Sequence, residues 1–148
     1  MTLHQSMTDI GMKGMNRAHR IVRGLTGGRV LSTAFGMPAI ELHTIGRKSG
    51  LKRASMLTSP IHDEHRVVIV ASKGGDDRNP LWYENLTANP DVEITMERVT
   101  KPYRARTASK EEKAEMWPQI VAAYKGYAGY QKKTTRDIPV VICEPRAG

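Results

Sequence analysis

Apolar and polar positions alternate along most of the chain after residue 38, and a period of two is typical of β-strands. Six segments show this alternation or form short apolar runs: residues 39–45, 52–61, 67–71, 92–96, 103–105 and 138–142. The third is apolar at every position, which predicts a strand buried on both faces. Six short strands favour a closed or partly open antiparallel barrel over a doubly wound sheet, because closure removes exposed strand edges.

A first helix is predicted at residues 80–88. Asn79 has the side chain of a good N-cap, Pro80 suits the first helical position, and Asn89 is followed by a proline that ends the run. The helix follows a Ser-Lys-Gly-Gly loop directly, which places Trp82 near that loop. Trp82 could pack in the core, contact a ligand, or do both.

A second helical stretch covers roughly residues 109–131. It begins with a capping box between Ser109 and Glu112, and Pro118 predicts a kink or the start of a new helix. Its last part carries three of the five tyrosines of the chain, Tyr124, Tyr127 and Tyr130. Gly126 and Gly129 separate them and weaken a helix, which favours a mobile lid with tyrosines over a pocket. Filling of a gap in the core is the alternative.

The N-terminal segment differs from the rest in charge. Residues 10–40 contain five Lys or Arg and no Asp or Glu. Apolar residues recur at helical spacing over about residues 12–25, opposite basic ones, which predicts a short amphipathic helix. The sequence therefore predicts two parts of the chain. Residues 1–30 form a leader and a basic helix, and residues 31–148 form the barrel domain. The helix either packs on the barrel or lies on an anionic membrane as a peripheral contact.

Charge and cysteine usage narrow the class of protein. The 148 residues carry a net charge of +8, so the partners are expected to be anions. Cys143, the one cysteine, lies beside an apolar run and is interpreted as a core residue in a reducing cytoplasm. No apolar stretch reaches the ~20 residues of a spanning helix. His62 and His65 have no further metal ligand at suitable spacing, so no metal site is expected.

Three sequence motifs together predict an anion-binding surface with aromatic residues beside it. They are GRKSG at residues 46–50, SKGG at residues 72–75 and NPLWYENLTANP at residues 79–90. Glycines allow a phosphate to approach the backbone closely, and Arg and Lys supply charge and forked hydrogen bonds. A phosphorylated planar coenzyme is the simplest ligand for such a surface.

With two later phrases, WPQIVAAYKGYAGYQ at residues 117–131 and IPVVICEP at residues 138–145, the chain resembles the deazaflavin (F420)-dependent nitroreductase family of actinobacteria. The resemblance runs from about Asn16 to Pro145. It implies an α+β fold, mainly β, in the form of an FMN-binding-like split β-barrel with antiparallel Greek-key topology and short helices. It also implies a cytoplasmic enzyme that transfers hydride from reduced coenzyme F420 to a quinone, enone or nitro compound.

The resemblance assigns roles to individual residues. The phosphate and acidic tail of the coenzyme would be held by the basic turn and the loop that follows, through Arg47, Lys48, Ser49, Arg53 and Lys73. The deazaflavin would be lined by Ser72, Gly74, Trp82 and Asn85. The acceptor pocket would be bordered by Tyr124, Tyr127 and Tyr130, one of which orients the acceptor oxygen or delivers a proton.

One departure and three alternatives accompany this hypothesis. Residues 55–58 read Ser-Met-Leu-Thr where the member of the family active on nitroimidazoles has Asn-Pro-x-Tyr, which weakens the expectation of prodrug reduction. A barrel of this kind could hold FMN instead, although one phosphate does not need so long a basic strip. A coenzyme carrier without catalysis is a further alternative. A nucleic-acid-binding module is disfavoured because the aromatic residues are not interleaved with the basic strip.

Overall fold

The computed structural model describes residues 33–34 and 37–147; the leader and basic helix predicted for residues 1–30 lie outside the described residues. The strands are β1 (Thr33–Ala34), β2 (Met37–Ile45), β3 (Lys52–Thr58), β4 (Ile61–His62), β5 (Val67–Val70), β6 (Asp91–Met96), β7 (Val99–Thr107) and β8 (Val140–Pro145). The helices are a 3₁₀ turn (Lys73–Gly75), α1 (Leu81–Ala88), α2 (Lys110–Ala123) and α3 (Gly126–Lys133).

All described strand pairs are antiparallel. The order is β1-β2-β6-β7-β8-β5-β4, and β3 pairs with β2, so that β2 pairs with three other strands. The described strands do not close into a full cylinder. The prediction of a mainly β fold with a partly open antiparallel barrel is therefore confirmed.

The sheet buries two different apolar layers because side chains of successive strand residues point to opposite faces. Val67 and Ile69 of β5 belong to a core that also contains Trp82 of α1. Val68 and Val70 belong to a second core, with residues of α2 and α3. Cys143, predicted as a core residue, is fully buried in the first layer. The continuous apolar run at residues 67–71 thus has the two-sided burial that its pattern predicts.

Several boundaries differ from the prediction. The segment at residues 52–61 is divided into β3 and β4 because Ser59 turns inward and donates to the carbonyl oxygens of Ile61 (2.8 Å) and Val68 (2.7 Å). Strand β7 continues through Pro102 rather than starting after it. The second helical stretch is broken between Ala123 and Gly126, whereas no new helix starts at Pro118, which lies inside α2.

The capping box at the start of α2 is confirmed, since Ser109 and Glu112 satisfy each other's backbone amides. The expected N-cap of α1 is wrong. Pro80 occupies the N-cap position, and the Asn79 side chain accepts a hydrogen bond from Arg136 instead, at 2.8 Å. In the described part of the chain, no helix is both long and apolar enough to cross a bilayer.

Candidate functional site

The basic turn, residues 46–50, joins β2 to β3 and is closed by its own backbone. The Gly46 amide donates to the Leu51 carbonyl, and the Gly50 amide donates to the Gly46 carbonyl, both at 2.8 Å. A Cβ on Gly46 would lie 2.5 Å from Ser49 Oγ, and Gly50 has a φ of 71°. The left-handed backbone favours glycine at position 50, and a side chain at position 46 would require the Ser49 hydroxyl to move.

Helix α1 holds this turn in place through a buried asparagine. Asn85 is 9% exposed and accepts from the Arg47 backbone amide at 3.1 Å. Its Nδ2 donates to Thr44 Oγ1 at 3.3 Å, inside the barrel. Glu84 of the same helix pairs with the Arg47 guanidinium at 2.6 Å. The sequence predicted Asn85 as a coenzyme contact; the structure places it directly behind the turn.

Two further cations lie in the turn and in the first part of β3. Lys48 and Arg53 are exposed, and neither makes an ion pair with a carboxylate of the described residues. Arg53 Nη2 donates to Ser49 Oγ at 3.4 Å. Among the same residues, the amides of Lys48 and Ser49 donate to no protein acceptor. Exposed amides beside exposed cations can bind a phosphate or carboxylate.

The glycine loop, residues 72–75, follows β5. Three consecutive residues have left-handed backbone: Lys73 (φ 46°), Gly74 (φ 64°) and Gly75 (φ 86°). Ser72 and Lys73 are both less than a tenth exposed. Lys73 was predicted to hold the coenzyme tail together with the basic turn. The structure places Lys73 at a buried position of the loop, near the carboxylate of Asp76. Burial raises the pKa of Asp76, but hydrogen bonds from Arg78 and, to a smaller extent, the charge of Lys73 bring it below its usual value.

Trp82 is 5% exposed and packs in the first core layer beside Leu86. Its ring meets Tyr83 edge to face, with centroids 6.4 Å apart. Tyr83 in turn bonds Thr107 of β7, Oη to Oγ1, at 2.7 Å. These contacts show that Trp82 packs in the core, and its contact with the deazaflavin stays a prediction.

The tyrosine cluster, Tyr124, Tyr127 and Tyr130, forms one packed group. The Tyr124 ring lies 5.2 Å from the Tyr127 ring and 6.2 Å from the Tyr130 ring. Gly126 makes this possible, because a Cβ there would lie 2.4 Å from the Tyr124 ring. At this position the glycine serves packing rather than helix flexibility.

The three hydroxyls have different surroundings. Tyr127 is 6% exposed, and its hydroxyl bonds Thr58 Oγ1 at 3.3 Å and donates to Met37 Sδ at 3.9 Å. The Tyr124 and Tyr130 hydroxyls bond each other at 3.2 Å, and both residues are half-buried. Burial raises the pKa of Tyr127 and of Tyr130, the latter further through its bond to Tyr124. Both phenols therefore stay protonated at neutral pH and can donate hydrogen bonds.

The glycine loop and the helix of the tyrosine cluster are in contact. A Cβ on Gly75 would lie 2.9 Å from the Tyr130 carbonyl oxygen and 3.0 Å from the Lys133 side chain. Arg136, just after α3, donates to several acceptors around the loop. Sequence reasoning missed Arg136, Thr44 and Glu84, and no local pattern marks the first, since it lies in a polar segment after a helix.

Comparison with known proteins identifies the family. Residues 15–145 match the family described as F420H(2)-dependent quinone reductase. The chain belongs to that family. The F420H(2)-dependent quinone reductase Rv1261c of Mycobacterium tuberculosis is 39% identical over 142 residues, which cover 93% of each chain. Membership implies coenzyme F420 as cofactor and an oxidoreductase activity, as the sequence predicted.

Solved structures support the same assignment. A structure described as an F420-H2 dependent reductase, FDR-A, is 42% identical with a TM-score of 0.66, and the match covers 72% of this chain and 94% of that one. A second structure, described as a domain-swapped dimer, is 38% identical with a TM-score of 0.67 and coverage of 88% and 96%. The split-barrel fold implied by the sequence is confirmed by the first of these.

No group of three or more His, Cys, Asp or Glu side chains in the described ranges could hold a metal ion. His62 and His65 flank an exposed turn in which Asp63 accepts from the backbone amides of His65 (2.7 Å) and Arg66 (3.0 Å). Those bonds, the largest of them from His65, lower the pKa of Asp63. The Asp63 carboxylate therefore serves the turn itself.

Proposed function

We propose that this protein is an F420H2-dependent quinone reductase. The match to the family over residues 15–145 carries the proposal. When bound, the reduced deazaflavin supplies the hydride, and the protein supplies binding, orientation and a proton. The quinone is proposed as the acceptor because the family and its mycobacterial members bear that name.

The basic turn fits the anionic part of such a coenzyme. Lys48 and Arg53 are exposed cations free of carboxylate partners in the described part of the chain, and they flank two exposed amides. Arg47 has one contact with Glu84 and further donors on its guanidinium. Gly46 keeps the turn tight, and Asn85 fixes its direction from behind. The phosphate and acidic tail would bind here.

The glycine loop would receive the ring system. Its left-handed backbone at Lys73, Gly74 and Gly75 leaves little side-chain bulk at two of three positions. Ser72 lies at the start of the loop and lines it with a short polar side chain. Gly75 contacts α3 at the Tyr130 carbonyl oxygen and the Lys133 side chain, and this contact supports a proposed acceptor site between the loop and the tyrosine cluster.

Within the cluster, the Tyr124–Tyr130 pair is the best candidate for the hydroxyl that orients the acceptor oxygen. Tyr127 is turned inward, toward Thr58 and Met37. The Tyr124–Tyr130 pair shares one proton in its mutual bond, which leaves the second hydroxyl proton for a quinone oxygen. A donor at that oxygen stabilises the charge that hydride arrival creates there.

The test has a binding arm and a turnover arm. In fluorescence titrations of the purified protein, we expect F420 to bind at lower concentrations than FMN or FAD. We also expect the protein to oxidise F420H2 when a menadione-like quinone is present. Lys48→Ala should weaken F420 binding about tenfold or more, since a charge-assisted contact contributes roughly 1.5–3 kcal/mol. Lys101→Ala, which removes an equal charge from an exposed site on β7, is the matched control.

Each outcome has a distinct meaning. Tighter binding of FMN than of F420 would refute the choice of coenzyme. Binding of F420 without turnover of any quinone would indicate a carrier. Faster turnover of a nitro compound than of the quinone would show that the preferred acceptor is a nitro compound. Equal loss in Lys48→Ala and Lys101→Ala would show that only net charge matters and that the turn is not a site.

A further inference from the structure

Arg136 lies three residues after the end of α3 and is half-buried. All three of its guanidinium nitrogens donate to the segment between β5 and α1. Nε donates to the Asp76 carbonyl at 2.8 Å, Nη1 to Asn79 Oδ1 at 2.8 Å, and Nη2 to the carbonyls of Ala71 (3.2 Å) and Ser72 (2.9 Å). One side chain therefore bonds both ends of the glycine loop.

The loop needs such support. Lys73 has left-handed backbone without being a glycine, and such residues persist only where their surroundings fix them. Two backbone bonds lie within the loop, from the amide of Gly75 to the Ser72 carbonyl (2.9 Å) and from the amide of Asp76 to the Lys73 carbonyl (3.1 Å). Arg136 donates to the same Ser72 carbonyl and so reinforces the first of them.

Arg136 is itself fixed to the tyrosine helix. Gln131 of α3 donates from Nε2 to the Arg136 carbonyl at 2.8 Å. The Thr134 hydroxyl accepts from the Arg136 amide at 3.3 Å and donates to Asp77 at 2.7 Å. The guanidinium thus connects the glycine loop to the helix that carries Tyr130.

We propose that Arg136 is a positioning residue that holds the glycine loop in its coenzyme-binding shape and at a fixed place relative to the tyrosine cluster. The proposal rests on the proposed function for the identity of the coenzyme. The connection itself rests on the bonds of Arg136. A rigid arrangement of ring and acceptor sites matters for transfer because small displacements of the reacting atoms lower rates strongly.

The test compares Arg136→Lys with Arg146→Lys. Lysine keeps the charge of Arg136 but loses the fork that reaches four acceptors. Arg146 is a matched control, since it is partly buried and donates to the carbonyls of Tyr103 on β7 and Val92 on β6 rather than to the loop. Hydrogen exchange is measured without coenzyme at the amides of the loop, and F420 affinity is measured by fluorescence.

For Arg136→Lys we expect exchange at the Gly75 and Asp76 amides to rise about tenfold or more, since the bonds that close the loop open more often. F420 affinity and the KM for F420H2 should worsen about tenfold, because a loop that no longer keeps its binding shape must be ordered when the coenzyme binds. The KM for the quinone should stay within about twofold. Arg146→Lys should change none of these.

Unchanged exchange in Arg136→Lys would overturn the proposal. Faster exchange with unaltered F420 affinity would overturn its coenzyme part. Should the wild type bind no F420, the proposed function fails, and the exchange result alone then decides whether Arg136 orders the loop. If Arg136→Lys does not fold, Asn79→Ala is the substitute, because it removes only one acceptor of Arg136. About threefold weaker F420 binding is expected for Asn79→Ala. Wild-type F420 affinity in this variant would count against the proposal.

Discussion

Asn85 links the interior of the barrel to the basic turn, so its removal should affect both stability and binding. Asn85→Ala leaves the Thr44 hydroxyl, which is 2% exposed, without its donor. A stranded buried polar group costs about 1–3 kcal/mol. The Arg47 amide also loses its acceptor but lies near solvent and can bind water. We expect the free energy of unfolding to fall by about 2–3 kcal/mol in total.

Thr44→Val separates the two effects. It has nearly the same shape, removes the hydroxyl and leaves Asn85 Nδ2 unsatisfied, so it should cost about 1–3 kcal/mol as well. Both substitutions break the same bond, so the double variant should be less destabilised than the sum by about 1 kcal/mol. The Arg47 contact survives in Thr44→Val, and F420 affinity should therefore be close to that of the wild type.

Urea unfolding followed by tryptophan fluorescence measures these differences, because Trp82 of α1 is buried in the core. The m-value should stay constant, and the midpoint should move. A change within about 0.5 kcal/mol for Asn85→Ala, the size of an ordinary surface substitution, would refute the role of Asn85 as an anchor. Strict additivity in the double variant would show that the two side chains are not coupled.

Three further predictions concern individual side chains. The double variant Tyr124→Phe/Tyr130→Phe should lower quinone turnover about 10²-fold or more and leave F420 binding intact. Tyr127→Phe should mainly lower stability, by about 1 kcal/mol, and equal turnover in the two variants would remove the proposed role of the pair. Hydrogen bonds, the largest from Arg106, lower the pKa of Glu112 from 4.5 to about 2, so this carboxylate stabilises the fold above pH 4.5 and the gain is lost as pH falls toward 2. Glu112→Gln should therefore flatten the acid side of a stability profile measured by urea midpoints, and a profile like that of the wild type would contradict this. Burial raises the pKa of the Cys143 thiol to about 12, so a thiol reagent should label denatured but not native protein, and labelling of the native protein would contradict the burial.

The strands could be predicted where burial alone decides them. Val67–Val70 is apolar on both faces, and the sequence shows this directly. The last strand was predicted at residues 138–142 but runs over Val140–Pro145, because Glu144 and Pro145 pair with Arg104 and Tyr103 of β7. Pairing with a neighbour extends a strand into polar residues, and a single sequence does not contain the identity of that neighbour.

The candidate site was predicted in its parts and not in its connections. The basic turn and the glycine loop are visible as glycines beside cations, and the capping box at Ser109 is visible as a local motif. The bond of Asn79 to Arg136 joins residues 57 apart in sequence, and it takes the Asn79 side chain away from the local cap that propensity favours. The burial of Tyr127 depends on contacts with Thr58 and Met37, which are 69 and 90 residues away in sequence, and its place at the acceptor pocket stays a prediction.

The polar contacts of the site divide by exposure, and this division separates stability from binding. The Arg47–Glu84 pair has more than a third of each side chain exposed, so it contributes at most about 1 kcal/mol to stability. The Asn85–Thr44 bond lies inside the barrel, where an unpaired group cannot be rescued by water. Variants at the front of the turn should therefore lose coenzyme affinity with almost unchanged unfolding, and variants behind it should lose both. The F420 affinity of Glu84→Gln shows what the Arg47–Glu84 ion pair does for binding. If Arg47 must leave Glu84 to reach an anion, the variant binds F420 more tightly. If Glu84 holds Arg47 in the binding orientation, the variant binds F420 more weakly.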